Sequence, residues 1–150
     1  MATQRETPFL QILARRFSKP SQMHVLFIDP DQVNVRRLAG TLRPPFTATV
    51  MATAEAAGAA LHAKWPTIIV TELDLPGTSG LNLLTSLHSD PATRRVLLMV
   101  LTSRVALQDK IAAFRAGADD YLVKPVDPQQ FLVHLERLSL FRQTFGPTAS

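Results

Sequence analysis

Short apolar runs alternate along the chain with longer stretches in which apolar positions recur at helical spacing. Runs at HVLFI (24–28), FTATVM (46–51), TIIVT (67–71), VLLMVL (96–101) and YLV (121–123) predict five strands. Between them VNVRRLAGTLR, AEAAGAALHAKW, LNLLTSLHS and ALQDKIAAFRAG can each turn one apolar face inward, and a last helix is predicted from Pro128 to about Phe145. Strands this apolar suit a parallel sheet covered on both faces, and connections of this length suit right-handed crossovers. The expected fold class is α/β, doubly wound, built from five βα units.

Local punctuation agrees with that register. Thr53 can cap the second helix, Ser79 or Thr78 the third, and Asp127 the fifth, where Pro128 takes the favoured first helical position. Gly117 stands where a left-handed residue would end the fourth helix.

Length and composition add bounds. A chain of 150 residues, 46% apolar and 19% charged, suits one globular domain. With no cysteine, disulfides, thiolate metal sites and cysteine nucleophiles are excluded. The longest apolar run is far shorter than a membrane span, and the first residues do not resemble a secretory signal, so a cytoplasmic location is expected. The net charge of +4 is concentrated at the front: Arg5, Arg15, Arg16 and Lys19 against Glu6 give residues 1–22 +3 of it. That arm reads as a solubilising tail, or as a contact for an acidic partner. His24, His62, His88 and His134 show no ligand-like spacing, and no phosphate-binding GxxxxGK or GxGxxG loop is present.

In doubly wound sheets the binding crevice lies beyond the carboxyl ends of the strands. Asp29, Pro30 and Asp31 follow strand one, Glu72, Leu73 and Asp74 strand three, Thr102 and Ser103 strand four, and Lys124 and Pro125 strand five. Each alone would pass for a solvated loop residue. Their convergence at one end of the sheet marks a candidate site.

The pieces VLFIDPD, ELDLPGTSGLNLL, VLTS and AGADDYLVKPVDP, in that order, resemble the receiver domain of two-component response regulators. The resemblance covers roughly residues 23–142, leaving a basic arm (1–22) and a tail (143–150). It implies a flavodoxin-like sheet in strand order 2-1-3-4-5 and a signalling module rather than an enzyme. In that family paired acids after strand one hold magnesium, an aspartate after strand three accepts a phosphoryl group, and a hydroxyl and a lysine contact its oxygens. Matched residue by residue, Asp29 is the first acid, Thr102 the hydroxyl, Lys124 the lysine and Tyr121 the switch aromatic. Two positions depart: Pro30 stands for the second acid and Glu72 for the phosphoacceptor. Asp74 keeps the facing of Glu72, because side chains alternate, and is the alternative acceptor if the register slides by two.

These departures have physical consequences. Proline offers magnesium no side-chain oxygen, and magnesium demands near-octahedral oxygen ligands. Binding through Asp29, Glu72 and Asp74 is expected to be weak or absent, so no cofactor is expected. Glu72 carries its carboxylate about 1.5 Å further out than aspartate, and a misplacement of about 1 Å can cost on the order of a hundredfold in rate. The same reach lets Lys124 pair with it and Thr102 donate to it. Two readings stay open: Glu72 partly imitates a phosphorylated aspartate, or the pair is a structural remnant. Both make the chain an atypical receiver largely independent of aspartyl phosphorylation; the alternatives are a phosphorylatable receiver, a small α/β enzyme using Asp29, Glu72 and Lys124, and nucleic-acid binding by the arm.

The resemblance implies a partner or output-domain surface on the fourth helix, fifth strand and fifth helix, here carrying Gln108, Lys110, Tyr121, Gln129 and Gln130, and a histidine kinase upstream. The acid and arginines of one familiar dimer are replaced by Gln130, His134 and Glu136, so that dimer is not expected. A homodimer by another contact stays open, including one at the end of the stripe Phe131, Leu135, Leu138, Phe141 and Phe145. The segment PFLQILARRF reads as a short amphipathic helix able to pack on that stripe.

Overall fold

The computed structural model describes residues 22–61 and 65–145, with side chains as far as Leu140. Its elements alternate strictly: β1 (Met23–Ile28), α1 (Gln32–Ala39), β2 (Phe46–Met51), α2 (Ala54–Leu61), β3 (Ile68–Thr71), α3 (Gly80–Ser89), β4 (Leu97–Thr102), α4 (Leu107–Ala116), β5 (Asp120–Val123) and α5 (Pro128–Phe145). The strands form one parallel sheet in the order β2-β1-β3-β4-β5. Both the expected fold class and the expected strand order are therefore observed.

The period-two geometry of strands splits the core into two layers. Val25, Phe27, Ile68, Val70, Met99 and Leu101 face one side, where Val35 and Leu38 of α1 and Phe131, Leu135 and Leu138 of α5 cover them. Leu26, Ile28, Ile69, Leu98 and Val100 face the other, covered by Ala57 of α2, Leu84 and Leu87 of α3 and Ala113 of α4. Burying both faces of β1, β3 and β4 requires side chains apolar at nearly every position, which is why these runs show no alternation.

The helix ends follow their local chemistry. Thr53 accepts from the Ala56 amide at 3.0 Å, Ser79 from Asn82 at 3.2 Å and Asp127 from Gln130 at 3.2 Å. Gly117 ends α4 with φ of 118°, in the left-handed region. Two predicted helices are shorter than expected. Helix α1 stops at Ala39, where the Thr41 hydroxyl takes the Leu38 carbonyl at 2.7 Å. Trp65, expected to close the second helix, lies outside it and is exposed, because the proline that follows disfavours helical backbone before it. The basic arm, His62 and the side chains of Phe141 and Phe145 lie outside the described residues.

Candidate functional site

The sheet order places β1 beside β3, with Ile28 paired to Thr71, so the residues after them, Asp29 and Glu72, emerge side by side. The Asp29 amide donates to Met51 O and the Glu72 amide to Ile28 O, both at 2.9 Å, which fixes both backbones at the sheet's rim. Lys124 leaves the end of β5 with its amide on Thr102 O at 2.8 Å, and its long stem carries the ammonium back over the sheet. There Nζ donates to Asp29 Oδ2 at 2.6 Å and to Glu72 Oε2 at 2.9 Å. The two carboxylate side chains are only 5% and 7% exposed, so one ammonium bridges a pair of buried acids.

The remaining oxygens are also engaged. Glu72 Oε1 accepts from the Leu73 amide at 2.8 Å, from the Asp74 amide at 3.2 Å and, in a short contact, from the Thr102 hydroxyl. Asp29 Oδ1 accepts from the Asp31 amide at 2.9 Å. Among the described residues no buried side-chain polar atom lacks a partner. Burial alone would lower the Lys124 pKa, but the hydrogen bonds that it donates to Asp29 and Glu72 outweigh it and hold the ammonium above its ordinary value.

The other candidates lie apart from this cluster. Pro30 is exposed. Asp31 caps α1, its carboxylate taken by the Asn34 side chain at 2.7 Å and the Asn34 amide at 3.3 Å, and these bonds hold its pKa below the usual carboxylate range. Asp74 points to solvent, where the Arg104 guanidinium grips it and lowers its pKa. Glu72, not Asp74, thus meets Thr102 and Lys124. Tyr121 sits on the α4 side of the sheet, its hydroxyl donating to Arg104 O at 2.8 Å and its ring 6.4 Å from that of Phe114. On the opposite side Asp29 and Lys124 border a cavity of about 530 Å³ with a floor of Val35, Leu38, Leu101 and Val126.

Sequence reasoning missed Arg104. It stands two residues after Thr102, in the loop that also holds Ser103, and no spacing in the sequence relates it to Asp74. Asp120 and His134 were likewise not linked: His134 Nδ1 lies 2.6 Å from Asp120 Oδ2, and Arg137 donates to the same oxygen at 3.2 Å, clipping α5 to β5.

A flavodoxin-like sheet with acids after β1 and β3, a hydroxyl after β4 and a lysine after β5, all at its carboxyl edge, defines the receiver class of signalling modules. The profile described as response regulator receiver domain matches residues 25–136, and the chain belongs to that family. It is similar to the phosphate regulon transcriptional regulatory protein PhoB of Klebsiella pneumoniae, 33% identical over 76 residues, which are 51% of this chain and 33% of PhoB. It is also 33% identical over 115 residues to the probable transcriptional regulatory protein TcrX of Mycobacterium tuberculosis, covering 76% of this chain and 48% of TcrX. The chain thus spans about a third to a half of the length of these relatives. Among solved structures, the signal receiver domain of an HD domain-containing protein from Pseudomonas fluorescens superposes with a TM-score of 0.73 at 26% identity, over 84% of this chain and 92% of that one.

Proposed function

We propose that this receiver works in two-component signalling as an interaction module whose state does not depend on aspartyl phosphorylation. The observation that carries this reading is the occupancy of Glu72. The two groups that the family uses on a phosphoryl group, Thr102 and Lys124, are both spent on the Glu72 carboxylate itself. A longer acid thus supplies internally, with one negative charge, part of what a phosphate monoester would supply with about 1.5 to 2. The mimicry is partial, and it is permanent.

Magnesium does not fit this site as it stands. Pro30 brings no side-chain oxygen, Asp31 is committed to α1, Asp74 to Arg104, and one oxygen of each of Asp29 and Glu72 to Lys124. Among the described residues no group of three or more His, Cys, Asp or Glu side chains is placed to hold a metal ion. Without a divalent ion, the cation that the cluster itself offers to offset the charge on a transferring phosphoryl group is Lys124, already paired with Asp29 and Glu72. The partner surface is α4, β5 and the start of α5, which carries exposed Leu107, Phe114 and Val133 beside the polar residues already named.

Intact-mass analysis after incubation with acetyl phosphate and magnesium tests the reading. The native chain is expected to form no phosphoryl adduct, Glu72→Asp and Pro30→Asp alone little, and the double variant a clear one. A stoichiometric adduct on the native chain overturns the proposal and returns the phosphorylatable receiver, with Glu72 or Asp74 as acceptor.

A further inference from the structure

Arg104 joins the loop after β3, the first turn of α4 and β5. Its Nε donates to both oxygens of Asp74, at 3.1 and 3.0 Å, in the loop after β3. Its Nη1 donates to Asp109 Oδ1 at 3.4 Å, in the first turn of α4. Its carbonyl accepts the Tyr121 hydroxyl from β5 at 2.8 Å, and its amide donates to Thr102 Oγ1 at 3.3 Å. Thr102 is the residue whose hydroxyl rests on Glu72, so one loop residue touches the buried cluster, the acid beside it, the next helix and the aromatic.

The start of α4 needs such a contact. Its N-cap is Ala106, which makes no side-chain capping bond, and residues 103–108 are all exposed. An uncapped helix beginning in an exposed loop has no local device that fixes where it starts. Exposed apolar side chains gather here too: Val105 and Leu107 are each 69% exposed, and Ile111 and Phe114 follow Leu107 at spacings of four and three.

We propose that Arg104 is the positioning residue for this face: held by Asp74 and Asp109, it sets the loop, the first turn of α4 and Tyr121 in one arrangement. The inference rests on the reading of the chain as a phosphorylation-independent interaction module, and gives that module the contact that orders its surface. Planarity matters here. A guanidinium can reach two carboxylates at once in fixed directions, whereas an ammonium acts as a point charge. Both Arg104 and Asp74 are about half exposed, so the contact is screened by salt.

Tyr121 is the only tyrosine in the chain, so fluorotyrosine labelling gives a single 19F resonance that reports this arrangement. Arg104→Ala, Arg104→Lys and Asp74→Asn are each expected to move that resonance in the same direction. Amide exchange of residues 105–110 should accelerate by about tenfold, while β1 and β3 amides keep native protection and show that the fold is intact. Raising salt from about 0.01 M to about 1 M, which shortens the screening length from about 30 to about 3 Å, should move the native resonance the same way and leave Arg104→Ala unmoved. Adding Asp74→Asn to Arg104→Ala should change nothing further, since the shared interaction is already gone. If Arg104→Lys and Asp74→Asn both leave resonance and exchange at native values, Arg104 does not position the face. The mass experiment is independent: an adduct decides the phosphorylation reading, and the resonance decides Arg104.

Discussion

At the scale of single residues the central fact is that one ammonium serves two buried acids. Replacing Lys124 by Met would leave Asp29 and Glu72 adjacent and uncompensated, a change that costs about 3 to 5 kcal/mol where one partner of a buried pair is removed. Urea unfolding at neutral pH should register the loss. The pH dependence has a definite sign: the folded pKa of Lys124 lies above its ordinary 10.5. Its contribution is therefore complete below that value and is lost only as pH rises through the higher, folded one. The stability advantage of the native chain over Lys124→Met should stay level from neutrality to about pH 10 and shrink above it. The pairing of Glu72 with Lys124 and Thr102 was legible in the sequence, because motif spacing placed all three at one sheet edge. The grip of Arg104 on Asp74 was not, since it joins exposed loop residues thirty positions apart that no periodicity relates.

At the scale of elements, the join between β3 and α3 carries the tightest constraint. A Cβ on Gly80 would fall 2.2 Å from Glu72 O and 2.7 Å from Leu73 Cα, both backbone atoms that cannot step aside. Gly80→Ala should destabilise the fold by about 2 to 3 kcal/mol by overpacking, and displace Glu72 as it does so. Gly58, inside α2, meets nothing within 4 Å, so Gly58→Ala should instead add about 0.5 to 1 kcal/mol through helix propensity. Thermal or urea unfolding of the two variants would separate the effects. Every strand was legible to within a residue or two at its ends, and β1, β3 and β4 most plainly, because burial on both sides demands uninterrupted apolar runs. The ends of α1 and α2 were less so: side-chain bonds such as that from Thr41, and the proline after Trp65, override a pattern that continues helically on paper.

At the scale of the whole molecule, the strand order decides that residues from β1, β3, β4 and β5 meet at one rim, and the closed bonding there predicts indifference to magnesium. A ligand at a concentration equal to its dissociation constant adds about 0.4 kcal/mol. If binding is weaker than about 10 mM, the midpoint of thermal unfolding of the native chain should move by less than about 2 °C at that concentration. The variant carrying Glu72→Asp and Pro30→Asp should show a larger rise, and a native chain that does so would show that Lys124 yields its carboxylates to the ion.

The chain's linear order of apolar runs and helical stretches sufficed to determine the α/β class, the strand and helix sites and the short list of residues at the carboxyl edge, because these depend on burial and spacing that are local in sequence. Tertiary structure alone decided how those residues divide their bonds: that Asp29 shares Lys124 with Glu72, that Asp74 turns outward to Arg104, and that Tyr121 rests on the same loop. Such choices depend on which polar atoms face one another across strands far apart in the chain, and a buried group takes whatever partner the fold brings within hydrogen-bonding distance.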